Sequence, residues 1–317
     1  MIGTATQVKA GPAVAVHGLT TRFGRVTALD NVDFEVAEGE IFGLIGPDGA
    51  GKTTLMRSLA GILPPTEGGA MVAGKDVVAD PEGVKQRIGY LSQVFSLYTD
   101  LTIAENLDFV TEIYSEDRAL AAKAKTDMLA LTGLAPFVDR QAGRLSGGMK
   151  QKLGLMCALI HRPKVLLLDE PTTGVDPVSR RDFWRILADL PQQGVTVVLS
   201  SPYMDEAARC NRMALIDRGK LLALGTAAEI ASQVEGTVVE VVTPAVRAAT
   251  RALTPRPELL SLTPFGDALH ARMSGDDPAA VVRGALDAAG VAYSGVEIVP
   301  SSLEDAFIDL VQRKVEA

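Results

Sequence analysis

Gly46-Pro47-Asp48-Gly49-Ala50-Gly51-Lys52-Thr53-Thr54 is the stretch on which the reading of this chain turns. It fits the phosphate-binding pattern G-x-x-x-x-G-K-[ST]. The apolar run Ile41-Phe42-Gly43-Leu44-Ile45 before it reads as a buried strand. Thr53 to Leu63 after it reads as a helix, with Leu55, Leu59 and Ile62 at helical spacing. Glycines let the backbone turn tightly and aim N–H groups inward, and the helix N-terminus adds a partial positive charge. Lys52 is then placed to reach the β- and γ-phosphates of a nucleoside triphosphate, and the Thr53 hydroxyl to hold Mg²⁺.

Around this loop the pattern alternates between strand and helix. Residues 13–40 read as short strands: Val14-Ala15-Val16 is apolar, and Val32, Phe34 and Val36 alternate with Asp33 and Glu35. Pro64 to Gly69 is a turn cluster, followed by strands at Ala70–Ala73 and Ile88–Leu91. Thr102 to about His161 is helical, with stripes at Ile103, Leu107, Val110 and Ile113 and at Leu120, Ala124, Met128 and Leu131. Strands follow at Val165–Glu170 and Val195–Ser200, with a helix from about Pro177 to Leu190 between them. A hairpin is expected around Asp217-Arg218-Gly219-Lys220. Such alternation implies α/β layers on a mostly parallel sheet. After about Val234 the composition shifts to a small α/β module. Its strands are expected at Val238–Val242 and Val291–Val299, its helices at Pro278–Ala289 and after a capping box Ser301-Ser302-Leu303-Glu304.

The balance of 47% hydrophobic and 22% charged residues is that of a globular protein, and 317 residues allow two domains. A net charge of −8 provides no basic field for nucleic acid. No apolar run approaches a membrane span, and Met1 to Pro12 lacks the pattern of a signal peptide. Cys157 and Cys210 have no metal-ligand spacing and read as buried free thiols. The expected compartment is therefore the cytoplasm.

Two further motifs give the phosphate loop a context. Leu145-Ser146-Gly147-Gly148-Met149-Lys150-Gln151 leads into a helix and forms a second anion cradle, and Val165 to Glu170 ends in two carboxylates. Together the three motifs resemble the ATP-binding-cassette family over roughly residues 13–230. That resemblance implies a P-loop NTPase cassette with a RecA-like core, an antiparallel β subdomain and a helical subdomain at about residues 95–161. The cassette is expected to span residues 13–233, after an N-terminal tail of residues 1–12 and before a C-terminal accessory domain at 234–317. It also implies site residues. Phe23 matches the aromatic that stacks on adenine, and Gln93 the glutamine that contacts Mg²⁺ and communicates with a membrane partner. Asp169 matches the Mg²⁺-organising aspartate, Glu170 the general base, and Asp176 the aspartate of the D-loop. Gly46 to Thr54 would bind ATP. Ser146, Gly147 and Gly148 would cap the γ-phosphate held by a second cassette, docked head to tail.

One position departs from the family. Where a histidine is expected after Val195–Ser200, the chain has Pro202 in Ser200-Ser201-Pro202-Tyr203-Met204. Proline has no side-chain donor and no N–H. Loss of one donor to developing charge typically costs about 10²–10³ in rate. His17, His161 and His270 lie elsewhere in the chain. The chain is thus expected to bind ATP and to hydrolyse it slowly, in an asymmetric pair with a complete cassette or in a slow homodimer.

The leading expectation is the ATPase subunit of an exporter at the cytoplasmic face of the cell membrane, paired with integral membrane permeases. The stretch Pro300 to Phe307 resembles the C-terminal end of drug-exporter and ABC-2-type ATPases. The alternative is a soluble cassette ATPase acting on ribosomes or nucleic acid, disfavoured by the single phosphate loop, the acidity and the lack of heptads. A generic P-loop kinase would leave Leu145 to Gln151 without a role.

Overall fold

A computed structural model describes residues 11–114 and 118–316, in two compact units that divide between Leu224 and Gly225. The first unit opens with a long hairpin, β1 (Val14–Phe23) and β2 (Val26–Val36), in which Val14 pairs with Val36 and Phe23 with Val26. These replace the short strands expected over residues 13–40. Then come β3 (Ile41–Ile45), α1 (Lys52–Leu59), β4 (Glu67–Val72), β5 (Lys75–Asp76), α2 (Pro81–Lys85) and β6 (Ile88–Leu91). The helical segment holds α3 (Ile103–Tyr114), α4 (Arg118–Thr132) and α5 (Gly147–Leu159). After it run β7 (Val165–Asp169), α6 (Pro177–Asp189), β8 (Thr196–Ser201), α7 (Met204–Ala207), β9 (Arg212–Asp217) and β10 (Lys220–Gly225).

Two sheets result. The antiparallel one has the order β2-β1-β4-β5, and the six-stranded one β10-β9-β3-β8-β7-β6. β9, β3, β8, β7 and β6 pair in parallel. β3, β7 and β8 are buried at every residue, as a parallel sheet covered on both faces requires. One face packs with α1 against the antiparallel sheet, where Phe34 stacks on Phe42 at 5.3 Å. The other packs against α5 and α6 through Leu155, Leu159, Phe183, Trp184 and Leu187. A third core holds the helical segment together through Ile103, Leu107, Leu153 and Met156. Cys157 and Cys210 are buried and free, and burial pushes each thiol up to about 12.

Several expectations are corrected here. Helix α1 stops at Leu59 because Gly61 turns left-handed (φ +64°), so Ile62 lies outside it and is exposed. Ile113 is likewise exposed, although Ile103 and Leu107 of the same stripe are buried. The side chain of Leu120 and residues 1–10 of the expected N-terminal tail lie outside the described set.

The second unit contains α8 (Ala227–Ala231), β11 (Thr237–Val242), α9 (Val246–Leu253), β12 (Leu259–Phe265), β13 (Ala268–Met273), α10 (Pro278–Ala288), β14 (Gly295–Val299) and α11 (Leu303–Glu316). Its antiparallel sheet has the order β12-β13-β11-β14. Strand β14 begins at Gly295, four residues later than the expected Val291. The capping box is formed by Ser302 and Asp305 rather than Ser301 and Glu304, with Asp305 N donating to Ser302 Oγ and Ser302 N to Asp305 Oδ2. This register places Asp305 and Asp309 one turn apart, both buried.

Strand β13 alternates. Leu269, Ala271 and Met273 join the core beneath α9 and α10, while His270 and Arg272, buried as well, meet residues of α11. His270 Nδ1 lies 3.1 Å from both Asp305 carboxylate oxygens, and the ring stacks on Phe265. Arg272 pairs with Asp309 and bonds Ser261 Oγ, Glu235 O and Gln312 Oε1. Breaking a buried pair leaves an uncompensated charge, whereas removing both partners does not. Asp309→Ala is therefore expected to destabilise the protein by about 3–5 kcal/mol in urea unfolding, and Arg272→Met with Asp309→Leu by much less.

Candidate nucleotide-binding site

The phosphate loop sits at the C-terminal end of β3, where α1 begins. Gly46 and Gly51 are sterically required there. A Cβ at Gly46 would lie 2.0 Å from Ile216 O, and one at Gly51, whose φ is +104°, 2.5 Å from Ala28 O. No side chain caps α1, so its first N–H groups remain available to an anion. Lys52 is 3% exposed, and its ammonium donates to Gly46 O at 2.9 Å and Pro47 O at 3.0 Å and pairs with Glu170 Oε1 at 3.0 Å.

Glu170 and Asp169 arrive from the end of β7, with β8 between them and β3. Ser200 of β8 ties both down: its Oγ donates to Asp169 Oδ1 at 2.8 Å and accepts from Glu170 N at 2.9 Å. Thr53 Oγ1 donates to the same Asp169 oxygen at 3.1 Å. Asp169 Oδ2 is buried without a partner. Burial holds this carboxyl above the usual aspartate range, against the opposing hydrogen bonds of Ser200 and Thr53. Gln93, just beyond β6, donates from Nε2 to Glu170 Oε2 at 2.9 Å, and Thr173 Oγ1 donates to the same oxygen at 3.4 Å. Glu170 itself has a left-handed backbone, φ +49°.

These residues border a cleft of about 490 Å³ lined on one side by Asp48 to Thr54, Gln93 and Glu170. The other side is Val26, Thr27, Ala28, Arg218 and Gly219. Sequence reasoning missed this second wall. The Asp217–Lys220 hairpin was legible, but its place was not: Gly219 N donates to Ala50 O at 2.9 Å and Asp30 N to Gly219 O at 2.8 Å. Phe23 is 52% exposed at the end of β1, across the hairpin turn from Val26, and is not among the lining residues.

Ser146 and Asp176 stand apart from this cleft and are exposed. Ser146 Oγ caps α5, accepting from Met149 N at 3.3 Å. Asp176 caps α6, accepting from Val178 N and Ser179 N, and its bonds to Ser179 and these amides hold its carboxyl below the usual range. The two caps are neighbours. A Cβ at Gly147 would lie 3.6 Å from Gly174 O, and one at Gly148 only 2.4 Å from Ser179. Pro202 directly follows β8, half-buried, and the cleft lining includes no histidine. His161 bonds Ile88 O and stacks on Tyr114.

Comparison with known proteins agrees with this geometry. The family model described as ABC transporter matches residues 29–173. The probable multidrug ABC transporter ATP-binding protein YbhF of Escherichia coli is 44% identical over 214 residues, 67% of this chain and 37% of that protein, so the chain spans little more than a third of it. The doxorubicin resistance ATP-binding protein DrrA of Mycobacterium tuberculosis is 36% identical over 264 residues, 80% of each. A solved ATP-binding subunit of an ABC transporter superposes with a TM-score of 0.65 at 27% identity, covering 70% of this chain and 92% of that one. With its phosphate loop, paired carboxylates and signature helix in cassette order, the chain belongs to the ABC transporter family as an ATP-binding subunit.

Proposed function

We propose that this chain drives an exporter by ATP-dependent pairing of two cassettes on integral membrane permeases at the cytoplasmic face, and that Pro202 slows hydrolysis at its own site. The exporter reading draws on the multidrug and doxorubicin-resistance names of its relatives. The single observation behind the slow site is Pro202 directly after β8, the strand that lies between β3 and β7, which lead to Lys52 and Glu170.

Lys52 and the free N–H groups of α1 would neutralise the phosphates, and Glu170 would orient the attacking water. The residues fit Mg²⁺: Asp169 Oδ2 is a buried oxygen without a partner, and the Thr53 hydroxyl bonds the other oxygen of the same carboxylate. Among the described residues no group of three or more His, Cys, Asp and Glu could hold a metal alone. Mg²⁺ would be held jointly by these two side chains and the nucleotide phosphates, whose charge it would help to neutralise. Gln93 donates to Glu170 and lies where β6 leaves the sheet, beside an apolar groove of about 350 Å³ lined by Tyr90, Leu91, Phe95, Leu97, Val110 and Tyr114. Val94, Tyr98, Phe109 and Ile113 are exposed in the same segments. We assign this face to an apolar helix of the permease, so that its occupant bears on Glu170 through Gln93. Among the described residues no helix is long and apolar enough to cross a membrane.

Three outcomes are expected. Glu170→Gln should bind a fluorescent ATP analogue several-fold more tightly, because a neutral amide holds the Lys52 ammonium less strongly than the carboxylate does, and lose about 10²-fold or more in phosphate release. Pro202→His should raise single-turnover hydrolysis by about tenfold or more. A wild-type chain already turning over as fast as the variant would overturn the impaired-site reading. From detergent-solubilised membranes, the wild type should co-purify a multi-span protein that Val94→Asp with Ile113→Asp loses while keeping ATP affinity.

A further inference from the structure

Glu206 on α7 is 1% exposed and does not line the nucleotide cleft. Four donors converge on its carboxylate. Oε1 accepts from Thr172 Oγ1 at 2.5 Å, Arg180 Nε at 2.7 Å and Trp184 Nε1 at 3.2 Å, and Oε2 accepts from Ser201 Oγ at 2.6 Å. A buried carboxylate is an expensive way to fill space, and well-packed apolar side chains would serve stability at least as well. What the charge provides is direction, since each donor must meet it at hydrogen-bond geometry.

The donors belong to three segments that matter to the composite site. Thr172 lies two residues beyond Glu170. Arg180 and Trp184 occupy one face of α6, the helix capped by Asp176. Ser201 ends β8 and also accepts from Tyr203 N at 3.0 Å, spanning Pro202. Arg180 further lies over the Tyr203 ring at 4.3 Å and reaches Asp205.

We propose that Glu206 is a positioning residue for ATP hydrolysis. It fastens the Glu170 loop and the Asp176-capped helix to the turn at Pro202, so that the base and the exposed interface segment keep one fixed geometry. Neither Lys52 nor Thr53 bonds Glu206, and a shift of Glu170 would only loosen its hold on Lys52, which keeps Gly46 O and Pro47 O, so nucleotide binding is not weakened without Glu206. The inference rests on hydrolysis by this cassette and not on the rate effect of Pro202, because single-turnover measurement reads slow chemistry as well as fast.

Glu206→Ala and Glu206→Gln are compared with the wild type. The glutamine keeps an acceptor oxygen for Thr172, Arg180 and Trp184. The alanine is expected to lose at least about tenfold in single-turnover rate, as displaced catalytic groups do, with the fluorescent ATP analogue bound no more than twofold more weakly than by the wild type. The glutamine should stay within about threefold in rate. An alanine rate within twofold of wild type, a Kd that worsens in step with the rate, or a glutamine as slow as the alanine each overturns the proposal. If the alanine does not fold, Thr172→Val, Ser201→Ala and their double variant decide. Strong non-additivity in rate, with Kd unchanged, supports a shared anchor, and additive effects overturn it.

Discussion

Lys52 and Glu170 meet at 3.0 Å although β3 and β7, the strands that lead to them, are not neighbours. β8 stands between β3 and β7, and adjacent strands lie about 4.8 Å apart, so the pair bridges roughly 10 Å of sheet. A long lysine chain at the start of α1 and the Glu170 side chain just beyond β7 close that gap. The rest of the site follows from the arrangement. Ser200, on the intervening strand, is in reach of both carboxylate residues, and the phosphate loop, Asp169 and Gln93 are gathered along one edge of a parallel sheet. In an open α/β sheet that edge is where ligands bind. The lysine is satisfied by Glu170 and two carbonyls, so a phosphate must displace protein partners to reach it.

The two exposed caps are the part of the proposed composite site that a single cassette does not gather into its own cleft. Ser146 and Asp176 already satisfy the first N–H groups of α5 and α6, and neither lines the cleft that holds Lys52. Their mutual contact through Gly147 and Gly148 makes them one surface rather than two. Glycine at 148 permits the close approach of α5 to Ser179 on α6.

What could be read in advance was local. The phosphate loop, the Asp169-Glu170 strand end and the helix caps each carry their chemistry within a few residues, so their spacing suffices. Val26, Thr27, Ala28, Arg218 and Gly219 carry no such signal, because the hairpins that bring them to the cleft are fixed by long-range bonds to Ala50 and Asp30. In the second unit α9, β12 and β13 went unread. Pro255, Pro257 and Pro264 punctuate that stretch, yet Pro264 is tolerated because β12 is an edge strand. The alternation of β13 suggests a wet face, but α11 meets it with Asp305 and Asp309, a pairing that only tertiary structure reveals.

Glu170 has a left-handed backbone, where a residue with a side chain is held at a cost of about 1 kcal/mol or more. Glycine or asparagine would rest there more comfortably and could not take a proton from water. The chain therefore keeps local strain at the position proposed for its base, and a variant selected for thermal robustness alone would be drawn away from that carboxylate.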